Sequence, residues 1–140
     1  MASVERYTPG NPVVVKGLEG STQTYKAGDL VMFNAGYVII ATAGAISGIA
    51  RKDWSVSGAT CEVELIDPNA VYSVRTAAAL THAQTLVGTK RDFTFTAGAH
   101  VLANESGTTD TYVVALDPRD EIGTSTGRVL VRFLCCNYGA

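Results

Sequence analysis

Cysteine is scarce. There are three in 140 residues, Cys61 and the adjacent Cys135 and Cys136, an odd count that does not suit a secreted disulfide framework. A reducing cytoplasm is therefore the expected place of synthesis. Basic clusters are also missing: the 11 Lys and Arg are scattered, with no block longer than the RKD at 51–53. That excludes the clustered cations a nucleic-acid module needs to release counterions. A net charge of −2 gives no electrostatic reason to sit on an anionic membrane. No apolar run reaches the roughly 18 to 20 residues of a membrane helix, and the longest, YVIIATAGAISGIA at 37–50, is interrupted by glycine. The opening MASVERYTPG shows no basic stretch followed by an apolar one, so a secretory signal is not expected.

Recognisable catalytic and ligand-binding motifs are lacking too. A metal site needs converging ligands at chelating spacing; here Cys61 is the only thiol besides the doublet, and His82 and His100 stand alone. Strand alternation places Cys135 and Cys136 on opposite faces, one of them buried as a small apolar residue. Both histidines read as satisfied or exposed side chains. Neither a G-x-S-x-G elbow nor a G-x-G-x-x-G phosphate loop occurs. No catalytic, cofactor-binding or metal-ligating residue is assigned, and no enzyme activity is expected. Carboxylates are spread thinly, with Glu62 and Glu64 sharing one strand face. In DPRDE at 117–121, Asp117 is placed to accept backbone N–H groups after it. Arg119 and Asp120 are candidates for pairing across a subunit boundary, and the single tryptophan, Trp54, for an interface anchor or a cap on a barrel end.

What the chain does have is short strands. DLVMFN (29–34), YVIIAT (37–42), ISGIAR (46–51), CEVELI (61–66), VYSVRT (71–76), DFTFTA (92–97), AHVLAN (99–104), YVVALD (112–117) and RVLVRF (128–133) are rich in β-branched and aromatic residues. Turn residues separate them, and GTSTG at 123–127 reads as a hairpin loop. Only AAALTHAQ at 77–84, with Thr76 as cap, favours helix. The expectation is one all-β domain, a small barrel or sandwich with one short helix, burying about two thirds of its unfolded surface. Residues 27–134 form the core and 135–140 a tail. Residues 1–26, with TPGNP at 8–12 and VVV at 13–15, read as an extended arm packing on another surface; the alternative is that Val13 to Lys16 is simply the first barrel strand. An arm should be removable without unfolding the core. Val13, Val14 and Val15, then Tyr7 and Tyr25, are its candidate partner contacts.

The sequence YKAGDLVMFNAGYVIIATAGAISGIARKD, followed by CEVELI, LVGTKRDFTF and YVVALDPRDEIGTSTGRVLVRFL, resembles head decoration (capsid cement) proteins of tailed double-stranded DNA bacteriophages. The likeness spans most of 25–134 and rests on AGDLV at 27–31, GIA at 48–50 and the closing VRF at 131–133. It implies a small β-rich virion protein, a homotrimer bound to the major capsid protein on the outer shell, with residues 1–26 as a reaching arm. It implies no cofactor, nucleic acid or membrane. Another virion subunit of the tail or head-completion kind is an alternative. A trimeric dUTPase-like pyrophosphatase is a weaker one: ELIDPNAVYSV at 64–74 and EIGTSTG at 121–127 loosely resemble its motifs, but Asn69-Ala70-Val71 replaces the expected Tyr-Arg-Gly and Ile122 the base-stacking aromatic.

Overall fold

The computed structural model describes residues 4–19, 26–34, 37–41, 45–53, 60–77, 83–95, 100–107, 109–124 and 126–134. Eleven strands carry the fold: β1 Val4–Arg6, β2 Val14–Glu19, β3 Leu30–Asn34, β4 Tyr37–Ile40, β5 Gly48–Ala50, β6 Thr60–Leu65, β7 Tyr72–Arg75, β8 Lys90–Thr94, β9 Val101–Ser106, β10 Thr111–Leu116 and β11 Arg128–Phe133. The all-β expectation holds. Each of the nine strands read from the sequence is present, with ends displaced by a few residues.

The strands form two units. One is a closed barrel in the order β2-β4-β3-β5-β6, with β2 returning to β6. Its pairings are antiparallel except for a short parallel step between β2 and β4, Leu18 against Tyr37 and Glu19 against Val38. The other is an antiparallel six-stranded sheet in the order β1-β7-β11-β10-β8-β9. The chain starts in the sheet, crosses to build the barrel, and returns after β6.

Alternation along β3 explains how the units join. Leu30 and Met32 face a core shared with the sheet, while Val31 and Phe33 point into the barrel with Val38, Cys61 and Val63. With both faces covered, the strand reads as an unbroken apolar run rather than an alternating one. The shared core combines Leu30, Ile46, Ile49 and Ile66 from the barrel side with Tyr72, Val74, Phe93, Leu102, Val113, Val131 and Phe133 from the sheet side. Tyr72 meets Phe133 edge-on at 5.3 Å between ring centroids, and Phe93 stacks on Phe133 at 5.8 Å. Gly48 lets β5 lie close against β6: a Cβ there would sit 2.5 Å from the Glu64 carbonyl oxygen.

One expectation is corrected. The described part of 1–26 is not a free arm. Val4, Glu5 and Arg6 pair with Val74, Ser73 and Tyr72, and Val14 to Leu18 pair with Glu64 to Thr60. The barrel-strand alternative for Val13 to Lys16 is the one realised, because closing the barrel satisfies the β2 backbone while Val15 packs against the lumen. The helix expected at 77–84 lies largely outside the described residues. The Thr76 hydroxyl donates to the Gly127 carbonyl at 2.8 Å, and its backbone bridges to Leu102. A 3-10 turn at Gln84–Leu86 is the helical element among the described residues. The tail 135–140, with Cys135 and Cys136, and His82 lie outside them as well.

One polar group is buried at the seam. His100, fully buried just before β9, accepts the Leu30 N–H at its Nδ1 at 2.9 Å. Its neutral ring therefore carries the proton on Nε2, which faces Asp29 Oδ1 at 4.0 Å, and its face receives the edge of Phe95. Burial lowers the imidazole pKa, only partly offset by the Asp29 charge. A proton on Nδ1 would also place two N–H groups nose to nose. Because the folded pKa lies below the unfolded one near 6.5, the unfolded chain takes up the proton first. The His100 contribution to stability is thus complete above pH 6.5 and is lost as pH falls below it. Urea midpoints should decline between pH 7 and 5, and His100→Gln, which keeps an acceptor but does not titrate, should flatten the decline.

Candidate functional site

The crossings between barrel and sheet create the principal surface features. Outgoing residues 7–13 run beside returning residues 66–71: Tyr7 and Thr8 N–H both reach the Val71 carbonyl, at 2.8 and 3.3 Å, and Thr8 Oγ1 accepts the Val71 N–H at 3.1 Å. Asp67 holds the return turn by accepting the Asn69 N–H, and Arg6 reaches its carboxylate at 3.5 Å. Between the crossings lies a cleft of about 210 Å³ lined by Arg6, Asn11, Val13, Leu65, Ile66 and Pro68. Val13 is 60% exposed there, and Val14, the first residue of β2, is 42% exposed. On the other side of Pro68 a second cleft of about 300 Å³ is formed by Tyr112, Val114, Arg132, Phe133 and Leu134. Pro68 lines both clefts.

A polar network braces the sheet. Asp117, fully buried, accepts the Ser73 hydroxyl at 2.6 Å, the Arg119 backbone N–H at 3.0 Å and the Arg119 guanidinium at 2.6 Å. Arg119 continues to Glu5 on β1 at 2.9 Å and lies over the Tyr7 ring at 6.0 Å. Burial alone would raise the Asp117 pKa, but the hydrogen bonds from Arg119 and Ser73 outweigh it and hold the carboxyl far below the usual range. Next to it, Asp120 accepts the Arg128 backbone and side chain at 2.7 to 2.9 Å, and the guanidinium lowers its pKa to about 2.

Several expected site residues fall differently. Tyr7, Val13 and Val14 are exposed as anticipated, whereas Val15 is half-buried against the barrel core. Tyr25 and Trp54 lie outside the described residues. Arg119 and Asp120 are each bonded within the chain, because the turn after β10 returns them over β1 and β11. Asp117 does accept the backbone as expected. Glu62 and Glu64 share the outer face of β6, reaching Lys52 and Arg51. The 64–74 segment is the end of β6, the crossing and the start of β7, and 121–127 lies in the β10–β11 connection. No His, Cys, Asp or Glu grouping that could hold a metal occurs among the described residues. The Tyr112–Leu134 cleft could not be read from the sequence, because its members come from the first residues of β10, the last of β11 and the distant Pro68 turn.

No protein-family model matches the chain, and neither a curated protein nor a solved structure does.

Asp117→Asn should lower unfolding stability by about 1–3 kcal/mol, since it weakens a buried acceptor of several donors. The folded pKa of Asp117 and Asp120 lies below the ordinary 3.8, so their contribution is present above about pH 4 and is lost as pH falls towards 2. Acid titration of wild type and Asp117→Asn, followed by circular dichroism, checks both the loss and the reduced acid sensitivity of the variant.

Proposed function

We propose that the chain is a capsid decoration protein of a tailed bacteriophage, a homotrimer that binds the outer surface of the head and stabilises the expanded shell. The observation that carries this reading is exposed Val13, which lines the Arg6–Pro68 cleft, followed by exposed Val14 at the start of β2 on a closed barrel. Closure leaves the barrel no open edge for indiscriminate strand pairing, so adhesion is confined to chosen side chains. Exposed apolar residues beside a cleft, rimmed by charged and polar groups, are the composition of a docking patch. Several such patches on one trimer raise avidity on a symmetric shell without a strong single contact. The resemblance across residues 25–134 supports the same role. The docking patch is rigid, built on β2 and the crossing, in place of the reaching arm first expected.

Cosedimentation with expanded and unexpanded shells of the major capsid protein from the same genome tests it. The protein should pellet with expanded shells, and Val13→Asp/Val14→Asp should weaken that binding at least roughly tenfold, as loss of a central apolar contact does. Equal binding by the double variant, or pyrophosphate release from dUTP with magnesium, would overturn the reading.

A further inference from the structure

Ile122 is the most exposed large apolar side chain among the described residues, at 69%. It does not hang on loose chain. The Thr124 N–H and hydroxyl both return to the Glu121 carbonyl, at 3.1 and 2.6 Å, and Gly123 takes φ +94°. A glycine with positive φ at the third position of such a turn leaves the second, Ile122, projecting outward. The turn is anchored on the side of β10 by Asp117 with Arg119 and on the side of β11 by Asp120 with Arg128. A preorganised apolar knob loses little freedom when it binds.

A receptor of matching chemistry lies at the opposite end of the same hairpin. In the 300 Å³ cleft, Tyr112 and Leu134 are 38% and 46% exposed, over Val114 and Phe133. A cavity of about 150 Å³ already takes a benzene ring, so this volume accepts a branched aliphatic chain. Arg132 sits at the cleft with its guanidinium on the Pro68 carbonyl, at 3.1 and 3.4 Å, and no carboxylate of the described residues lies within ion-pair distance of it. Exposed Glu121 immediately precedes Ile122 in the knob, so the knob carries the charge sign the cleft calls for. Tyr and Arg, both present at the cleft, are among the residue types that dominate interface energetics.

β10 and β11 are six residues each, which separates knob and cleft by roughly 20 Å. One chain therefore cannot seat its own Ile122. We propose that copies of this chain associate through this pair of unlike patches, the Ile122 turn of one copy seated in the Tyr112–Arg132–Leu134 cleft of the next. A contact between different patches closes as a ring where the rotation relating the copies allows it, and otherwise extends as an open chain of copies. It uses residues distinct from the valine pair proposed to meet the shell, so shell binding and self-association fail separately.

Sedimentation velocity of the full chain over a hundredfold concentration range is the test, with circular dichroism confirming that each variant is folded. Wild type should self-associate as concentration rises. Ile122→Asp and Leu134→Asp, both at exposed positions, should each raise the dissociation constant by roughly 30-fold or more, the effect of losing a central anchor. Mixed in equal amounts, they should form a heterodimer, since one retains the cleft and the other the knob. A monomeric wild type, an oligomer undiminished in either variant, or a mixture that stays monomeric overturns the proposal.

Discussion

The backbone amide of Leu30 has to be satisfied inside the core that barrel and sheet share, and the Nδ1 of His100 is the group that does it. A buried N–H without an acceptor costs on the order of 1–3 kcal/mol, so this bond fixes where β3 lies against the start of β9. β3 is the strand both units need: its even residues close the shared core and its odd residues fill the barrel. Once β3 is held, the chain must leave the sheet after β1 and re-enter it before β7, and the two crossings come to lie side by side.

The surface follows from those crossings. Residues 7–13 and 66–71 run side by side, and the cleft between them is lined by exposed Val13. β1, three residues long, would be a weak sheet edge on backbone pairing alone. The Glu5–Arg119–Asp117–Ser73 chain ties it to β7 and to the turn after β10, and that turn in turn fixes the base of the Ile122 knob. Fold, bracing network and candidate contact surfaces are thus consequences of one joint.

Much of the architecture was legible in the sequence because strand signals are local. β11 could be read at its observed bounds from the alternation of Val129, Val131 and Phe133 with Leu130 and Arg132, and β3 from its continuous apolar run. The first two strands were harder. β1 is only Val-Glu-Arg, too short for any period, and Val13–Val15 is equally compatible with an arm or a strand until the partner β6 is known. His100 looked like an isolated surface or satisfied histidine; its acceptor role depends on an amide 70 residues away. Arg119 and Asp120 looked available because their partners, Glu5 and Arg128, become neighbours only through the fold. Long-range pairing separates what a sequence states from what a structure adds.

The functional reading rests on rigidity: a closed barrel and a sheet welded through a common core, presenting exposed apolar groups from fixed positions. If that is right, the first residues are members of the scaffold rather than an appendage. A chain lacking residues 1–19 puts this to the test most directly. It removes β1 and the strand that closes the barrel, so thermal unfolding followed by near-ultraviolet circular dichroism should lose its cooperative transition. A truncated protein that melts cooperatively within a few degrees of the full chain would contradict the account.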